Sequence, residues 1–220
     1  MNDALLWMLW IFIFVLLSGY LFFGLTQFKA IKKTPYLFHY HLPFELHETP
    51  ISYAYTFQPL KGLFIFFLVA LFAYWESVFV YPNLPITYVL LTFMIIFLMS
   101  TMGIFTLQPK KIEIYLFMVT LFGVSIVAIL FLSSYITFTS PYTQFQTFLP
   151  WTTFVQGIVQ LILLLNPRLK YWALLEKVEG TNEKPLYRRP TYFVMAYTQW
   201  LSLANIMLWV LLTQIEWLIG

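Results

Sequence analysis

Residues 86–136 have the sequence ITYVLLTFMIIFLMSTMGIFTLQPKKIEIYLFMVTLFGVSIVAILFLSSYI, and this stretch decides the fold. Long apolar runs lie on either side of a short polar segment that contains Lys110 and Lys111. A helix needs about 20 mostly apolar residues, at about 1.5 Å rise each, to cross the ~30 Å hydrocarbon core of a bilayer. The runs at 86–107 and 112–136 both meet that length. The sequence therefore predicts two membrane-spanning helices joined by a tight basic loop.

The composition of the whole chain agrees with a lipid solvent. Of its 220 residues, 61% are hydrophobic and 10% are charged, whereas a soluble domain carries about 25% charged residues. Charge this sparse cannot cover a water-facing surface. The net charge of +3 does not indicate nucleic-acid binding, because the basic residues lie beside membrane segments. With no cysteine in the chain, disulfides, thiolate metal sites and a cysteine nucleophile are excluded.

The same length criterion predicts four further spans, at 4–25, 62–81, 148–165 and 192–213. The chain is therefore expected to be an all-α membrane protein, a single polytopic domain over 1–220 that forms a bundle of six transmembrane helices. The first span is expected to be retained, because it lacks the basic region and the small-residue cleavage site of a signal peptide.

Lysine and arginine are confined to alternate loops. The predicted loops 26–61, 108–111 and 166–191 contain all twelve, and the loops at 82–85 and 137–146 contain none. Positive charge is retained on the cytoplasmic side of membranes. The pattern predicts that both termini lie outside (N-out/C-out) and that the three basic loops lie inside. A bacterial plasma (inner) membrane is the expected location, with an organelle inner membrane as the alternative.

The third basic loop is predicted to contain a short amphipathic helix near 167–179. Asn166 and Pro167 favour its start, and Gly180 favours its end. Its apolar residues recur at i, i+3, i+4 and i+7, which places them on one face. This face is expected to contact the inner membrane surface or a partner subunit. Its members are Tyr171, Leu174, Leu175 and Val178.

All the histidines of the chain lie in the first basic loop. They are His39, His41 and His47, and Glu48 follows the last of them. Imidazole and carboxylate ligands suit Zn, Mn or Fe, so these four residues are candidate metal ligands, although their spacing matches no known motif. A pH-responsive role is a second possibility. The third is an aromatic-rich segment that folds along the inner interface with its rings buried.

Polar amides occupy single faces of the last two predicted spans. On the fifth span, Gln156 and Gln160 are four residues apart, and on the sixth span Gln199, Ser202 and Asn205 are spaced by three. Buried amides in lipid require hydrogen-bond partners. They are expected either to hold the two helices together or to line a polar path between them. Trp200 and Trp209, on the same sixth span, are interpreted as packing residues.

Glu76, in the second predicted span, is the best single candidate for a proton or cation role. The alternative is a carboxylate that reaches the outer interface. No histidine, lysine or arginine lies deep in a predicted span, which argues against haem held by helix histidines, voltage sensing and a basic anion path. The sequence also contains no nucleotide-binding Walker A motif.

These features favour a non-catalytic integral membrane subunit or scaffold of a larger complex, with the inner loops as its docking surface. The lipid bilayer and other integral membrane subunits are the expected partners. Bound lipids are expected, and no cofactor is predicted. The alternative is a permease for a small or uncharged solute, with Glu76, Gln156, Gln160 and Asn205 along its path. The third hypothesis is a membrane enzyme that binds a metal at the loop histidines.

Overall fold

A computed structural model describes residues 3–47, 85–106, 112–139, 148–167, 169, 176–178, 186–188 and 192–219. Several predictions fall outside these residues. They are the second span at 62–81 with Glu76, the loop at 108–111, the candidate ligand Glu48, and Tyr171, Leu174 and Leu175 of the predicted amphipathic helix.

Five α-helices make up most of the described structure. They are α1 (Asp3–Lys32), α2 (Pro85–Thr106), α3 (Ile112–Thr139), α4 (Leu149–Leu164) and α5 (Val194–Ile219). By length and composition α2, α3 and α5 are able to cross a membrane, and α4 is a shorter apolar helix. These three long apolar helices agree with the predicted class of helical membrane protein.

The predicted spans at 86–107, 112–136 and 148–165 match α2, α3 and α4 to within a few residues. The helix α1 continues beyond the predicted end of the first span, from residue 25 to Lys32. No proline or glycine interrupts residues 26–32, and the basic Lys29 and Lys32 in the last turn interact favourably with the helix dipole. The first basic loop therefore begins at Lys33, whose φ of 55° closes the helix.

The predicted sixth span, 192–213, agrees with the apolar segment Val194–Thr213, which is long enough to cross a membrane. The helix α5 begins at Val194 and continues to Ile219. Residues 214–219 contain neither proline nor glycine, so the sequence has no signal that would end the helix at Thr213. Hydropathy alone locates the apolar part of a helix but not its hydrogen-bonded ends.

The predicted helix near 167–179 was wrong at its C-terminal end. Strand β1 (Glu176–Val178) pairs antiparallel with strand β2 (Leu186–Arg188). The connecting sequence EGTNEKP at 179–185 contains glycine, asparagine and proline, residues that favour a chain reversal. Val178 pairs with Leu186 in this sheet, as suits a β-branched residue. It therefore does not belong to a helical apolar face.

The helices α2, α3 and α4 form consecutive antiparallel pairs. Phe97 of α2 stacks on Phe122 of α3 at 5.6 Å, and the Ser134 hydroxyl of α3 donates to the Pro150 carbonyl of α4 at 2.9 Å. The helix α5 packs against both α3 and α4. One apolar core joins α2, α3 and α5, and it includes the fully buried Trp209.

The burial pattern of α4 indicates whether the bundle is suited to water or to lipid. It buries Thr153, Gln156 and Gln160, whereas its exposed residues are apolar, with Trp151 63% and Ile162 65% exposed. A helix on the surface of a soluble protein shows the opposite pattern, with its apolar face buried. This inverted arrangement is stable when hydrocarbon covers the outside, because amides and hydroxyls then gain more from facing one another than from facing lipid.

Candidate functional site

The first notable site is the folded segment 33–47, which a hydrogen-bonded contact fixes to α5. The indole Nε1 of Trp200 donates to the Tyr36 hydroxyl oxygen and to the His41 carbonyl, both at 3.1 Å. The same Tyr36 hydroxyl lies 3.1 Å from the His41 carbonyl and 3.0 Å from the Leu42 carbonyl. We call residues 33–47 together with Phe28 and Trp200 the loop clamp. Its polar centre ties the segment after α1 to the first turns of α5.

Aromatic packing reinforces the loop clamp. Phe28, on α1, meets Tyr36 edge-on at 5.0 Å, and Phe38 meets Trp200 edge-on at 5.0 Å. Such pairs contribute about 0.5–1.5 kcal/mol each beyond the area that they bury. Leu46 lies in the same buried cluster and is almost completely inaccessible. The segment is therefore held by α1 on one side and by α5 on the other.

Two of the candidate metal ligands of this loop, His39 and His41, take part in its packing. The Leu37 N–H donates to His41 Nδ1 at 3.0 Å, and the His41 ring lies 4.8 Å from that of Phe28. The His39 ring lies 5.2 Å from that of Tyr192. Within the described residues no group of three or more histidine, aspartate or glutamate side chains is placed to bind a metal. His47 ends the 3-10 helix at Pro43–His47.

Glu45 stabilises that 3-10 helix. Its Oε2 accepts the Leu42 N–H at 2.7 Å, and its own N–H donates to the Leu42 carbonyl at 2.9 Å. This reciprocal arrangement resembles the glutamate half of a capping box, in which a carboxylate satisfies a backbone N–H that has no helical partner. The helix in turn packs against α1, α2 and α5.

The second notable site is a column of buried polar groups between α3, α4 and α5. Gln160 Nε2 donates to Ser202 Oγ at 2.7 Å. Asn205 Nδ2 donates to the Gln156 carbonyl at 3.1 Å and to Gln160 Oε1 at 3.3 Å. We call this column the polar seam; its members are Tyr115, Thr153, Gln156, Gln160, Gln199, Ser202 and Asn205. The structure thus brings together three of the amides that the sequence placed on two helix faces.

One end of the polar seam lies near the loop clamp. The Tyr115 hydroxyl donates to Gln199 Oε1 at 3.0 Å, and Gln199 directly precedes Trp200 of the loop clamp. The hydrogen bonds of the polar seam cross between helices rather than along them. They therefore fix the register of α5 against both α3 and α4.

Part of the polar seam is not hydrogen-bonded. Within the described residues, the buried side-chain atoms Thr153 Oγ1, Gln156 Oε1, Gln156 Nε2 and Gln199 Nε2 have no hydrogen-bond partner. The same holds for Ser133 Oγ and Thr198 Oγ1, which are not members of the seam. A buried polar group without a partner costs about 1–3 kcal/mol. Such a cluster in a bundle interior therefore calls for a physical explanation.

Sequence reasoning missed several residues of these sites. It interpreted Trp200 as a packing residue, whereas its N–H joins α5 to the loop. It counted Tyr36 only among the loop rings expected to be buried, and it did not single out Tyr115 or Thr153. A detectable signal existed for Thr153, which lies three residues before Gln156 and so shares its face. No local pattern pairs Tyr36 with Trp200, because 164 residues separate them along the chain.

Comparisons with known proteins provide no relative from which a function could be inferred. No family model, no curated protein and no solved structure gives a significant match to the chain.

Proposed function

We propose that this chain is a non-catalytic integral membrane subunit and that its loop clamp docks a neighbouring membrane subunit. The observation that carries the proposal is the rigid construction of the loop. Its tyrosine, histidine and glutamate side chains serve as hydrogen-bond partners and packing groups within the segment. A segment built in this way can present a surface of fixed shape.

The outward side of the loop clamp has the composition of a binding surface. Leu37 and Phe38 are 42% and 43% exposed although the segment around them is fixed, and Tyr192 beside His39 is exposed as well. Lys29 and Lys33 are exposed at the adjoining end of α1. Aromatic and large apolar side chains are enriched at the centres of protein interfaces. The partner that fits this surface has apolar side chains and acidic groups at the membrane boundary.

The proposal includes the topology expected from the sequence, with six spans and both termini outside. Three of the described helices are long and apolar enough to be such spans, and the restriction of the basic residues to alternate loops supports the orientation. In this arrangement the loop clamp lies on the inner face together with the hairpin of β1 and β2.

Purification of the tagged chain from its own membranes in mild detergent tests the docking proposal. We expect a second integral membrane protein to copurify in fixed stoichiometry. The substitution Leu37→Ser should weaken the binding of this partner while the helical content and the thermal transition stay unchanged. The matched control, Ile162→Ala on the exposed face of α4, should retain the partner. A wild-type chain that purifies as a single species without a partner would contradict the proposal.

A second function is supported by the polar seam. Amides and hydroxyls without partners between α3, α4 and α5 suit the passage of a small uncharged solute. Uptake by proteoliposomes tests this alternative. Flux that falls in Gln160→Leu and in Thr153→Val would favour a permease, and flux equal to that of protein-free vesicles would eliminate it.

A further inference from the structure

One exposed face of α1 changes from apolar to cationic along the helix. Phe22, Thr26 and Lys29 lie at i, i+4 and i+7, a spacing that places them on one side of a helix. Lys33 comes directly after the helix, and its N–H donates to the Lys29 carbonyl at 3.0 Å, which keeps the two lysines one turn apart. All four residues are exposed. We call them the α1 face, and about 10 Å of helix separates Phe22 from Lys29.

The hydroxyl of Thr26 does not prevent the upper part of the α1 face from contacting hydrocarbon. It donates to the Phe22 and Phe23 carbonyls of its own helix at 2.9 and 3.0 Å. A polar group that is already hydrogen-bonded is much less costly to place among acyl chains than an unpaired one. The part from Phe22 to Thr26 therefore suits an acyl chain, and the charge of the α1 face is confined to its end.

The cationic end of the α1 face lies near the membrane boundary. The Phe193 N–H donates to the His39 carbonyl at 2.9 Å, which fixes the segment after Lys33 to the start of α5. The apolar part of α5 that is long enough to cross a membrane begins at Val194. Lysine side chains at such a boundary lay their stems along apolar surface and keep their ammonium groups at the level of the lipid headgroups.

The two lysines of the α1 face favour an anion between them. Both are exposed, and neither has an ion-pair partner among the residues that the structure describes. Like charges one helical turn apart repel each other. Lys32 adds a third positive charge in the last turn of the same helix. An anionic group bound here relieves this repulsion.

We propose that the α1 face binds an anionic phospholipid, with the lipid phosphate at Lys29 and Lys33 and an acyl chain along Phe22. An inorganic anion would contact the lysines alone, and an acidic peptide would leave the apolar part of the face uncovered, whereas a phospholipid matches both parts. The phospholipid also supplies the acidic groups at this end of α1. The site is therefore independent of a partner subunit, and failure of the copurification experiment would leave it unaffected.

Native mass spectrometry of the full chain in mild detergent tests the site. The probes are phosphatidylglycerol and phosphatidylcholine with identical acyl chains, each titrated against the protein. We expect phosphatidylglycerol to bind more tightly than phosphatidylcholine, and an excess of inorganic phosphate to leave it bound. Equal affinity for the two lipids, or displacement of phosphatidylglycerol by inorganic phosphate, would overturn the proposal.

Matched double substitutions locate the site on the chain. Lys29→Gln combined with Lys33→Gln should weaken the binding of phosphatidylglycerol about five-fold for each lysine removed. The helical content should stay unchanged, because both side chains are exposed. Lys110→Gln combined with Lys111→Gln removes the same charge from another basic loop and should leave the affinity unchanged. An equal loss in the two double variants would overturn the proposal, because net charge alone would then explain the binding.

The apolar part of the α1 face is tested separately. Phe22→Ala should weaken the binding of phosphatidylglycerol several-fold, because the acyl chain loses its contact with the ring. Ile162→Ala is the control, since Phe22 and Ile162 are 64% and 65% exposed, and it should bind the lipid as the wild type does. Unchanged binding in Phe22→Ala would contradict the placement of the acyl chain and would overturn the proposal.

Discussion

The loop clamp and the polar seam use similar side chains in different ways. In the loop clamp, Tyr36, His41 and Glu45 all form hydrogen bonds. They do so although the segment lies outside the α-helices and some of its side chains are exposed. In the polar seam, which is enclosed by helices, Thr153 and Gln156 have unpartnered polar side-chain atoms among the described residues. Burial of a polar side chain therefore does not by itself predict whether that side chain is hydrogen-bonded. The named polar groups of the loop are hydrogen-bonded, whereas those of the seam are paired only in part.

The largest loss of stability is expected from a substitution that removes buried apolar volume from the loop clamp. Leu46→Ala removes a side chain that is 1% exposed and packs in the cluster of Phe28 and Tyr36. Substitutions of this type destabilise by about 2–5 kcal/mol. Reversible unfolding in mixed micelles measures the change. Leu37→Ala, at an exposed position of the same loop, is the control and should change stability by less than about 0.5 kcal/mol. Equal effects at the two positions would contradict a packed loop clamp.

A smaller loss of stability is expected when the hydrogen bonds of the loop clamp are removed while its aromatic rings are kept. Trp200→Phe deletes the N–H that donates to Tyr36 and to the His41 carbonyl. The expected loss is about 1–3 kcal/mol, because two hydrogen bonds of about 0.5–1.5 kcal/mol each are removed, while the Tyr36 hydroxyl and the His41 carbonyl keep their contact with each other. Proteolysis of the loop in the native state should accelerate accordingly. Trp151→Phe, on the exposed face of α4, provides the comparison, and an equal acceleration there would argue against the assigned hydrogen bonds.

The hydrogen-bonded part of the polar seam should respond more weakly than the loop clamp. Gln160→Leu removes the bonds to Ser202 and Asn205. Interhelical hydrogen bonds in membranes contribute about 0.6–1.7 kcal/mol. A double-mutant cycle with Asn205→Leu should show coupling, because the two side chains share one bond. Additive effects would mean that the 3.3 Å contact does not stabilise the bundle.

The exposed face of α4 should be the least sensitive region. Ile162 is exposed, and lipid replaces the lost contacts when its side chain is shortened. Ile162→Ala should therefore change the free energy of unfolding by less than about 0.5 kcal/mol. A loss comparable to that of Leu46→Ala would show that this face is covered by protein.

The sequence predicted the helices better than it predicted the contacts between them. Hydropathy located α2, α3 and α4 because about 20 apolar residues in succession are a local property. It did not predict the extension of α1 to Lys32, because the last turn, which contains Lys29 and Lys32, is helical but not apolar. The helix predicted near 167–179 was wrong at its end because a short apolar stripe also suits a strand once the chain turns back.

The candidate sites were predictable only in part. The spacing of Gln156 and Gln160 indicated a polar face, and the structure shows which partners meet it. The three histidines drew attention to the right loop but suggested metal binding, whereas in the described structure His41 accepts a backbone N–H. The contact between Tyr36 and Trp200 joins distant parts of the chain. Pairings of this kind follow from tertiary packing, which no local pattern encodes.

The central claim is that the loop clamp presents a fixed surface to a partner subunit. Photo-crosslinking in native membranes tests it most directly, with a photoreactive residue placed at Phe38 or, for comparison, at Ile162. We predict one discrete protein adduct from position 38, its loss in Leu46→Ala, and only lipid adducts from position 162. Position 38 giving no protein adduct, or the same lipid adducts as position 162, would contradict the claim.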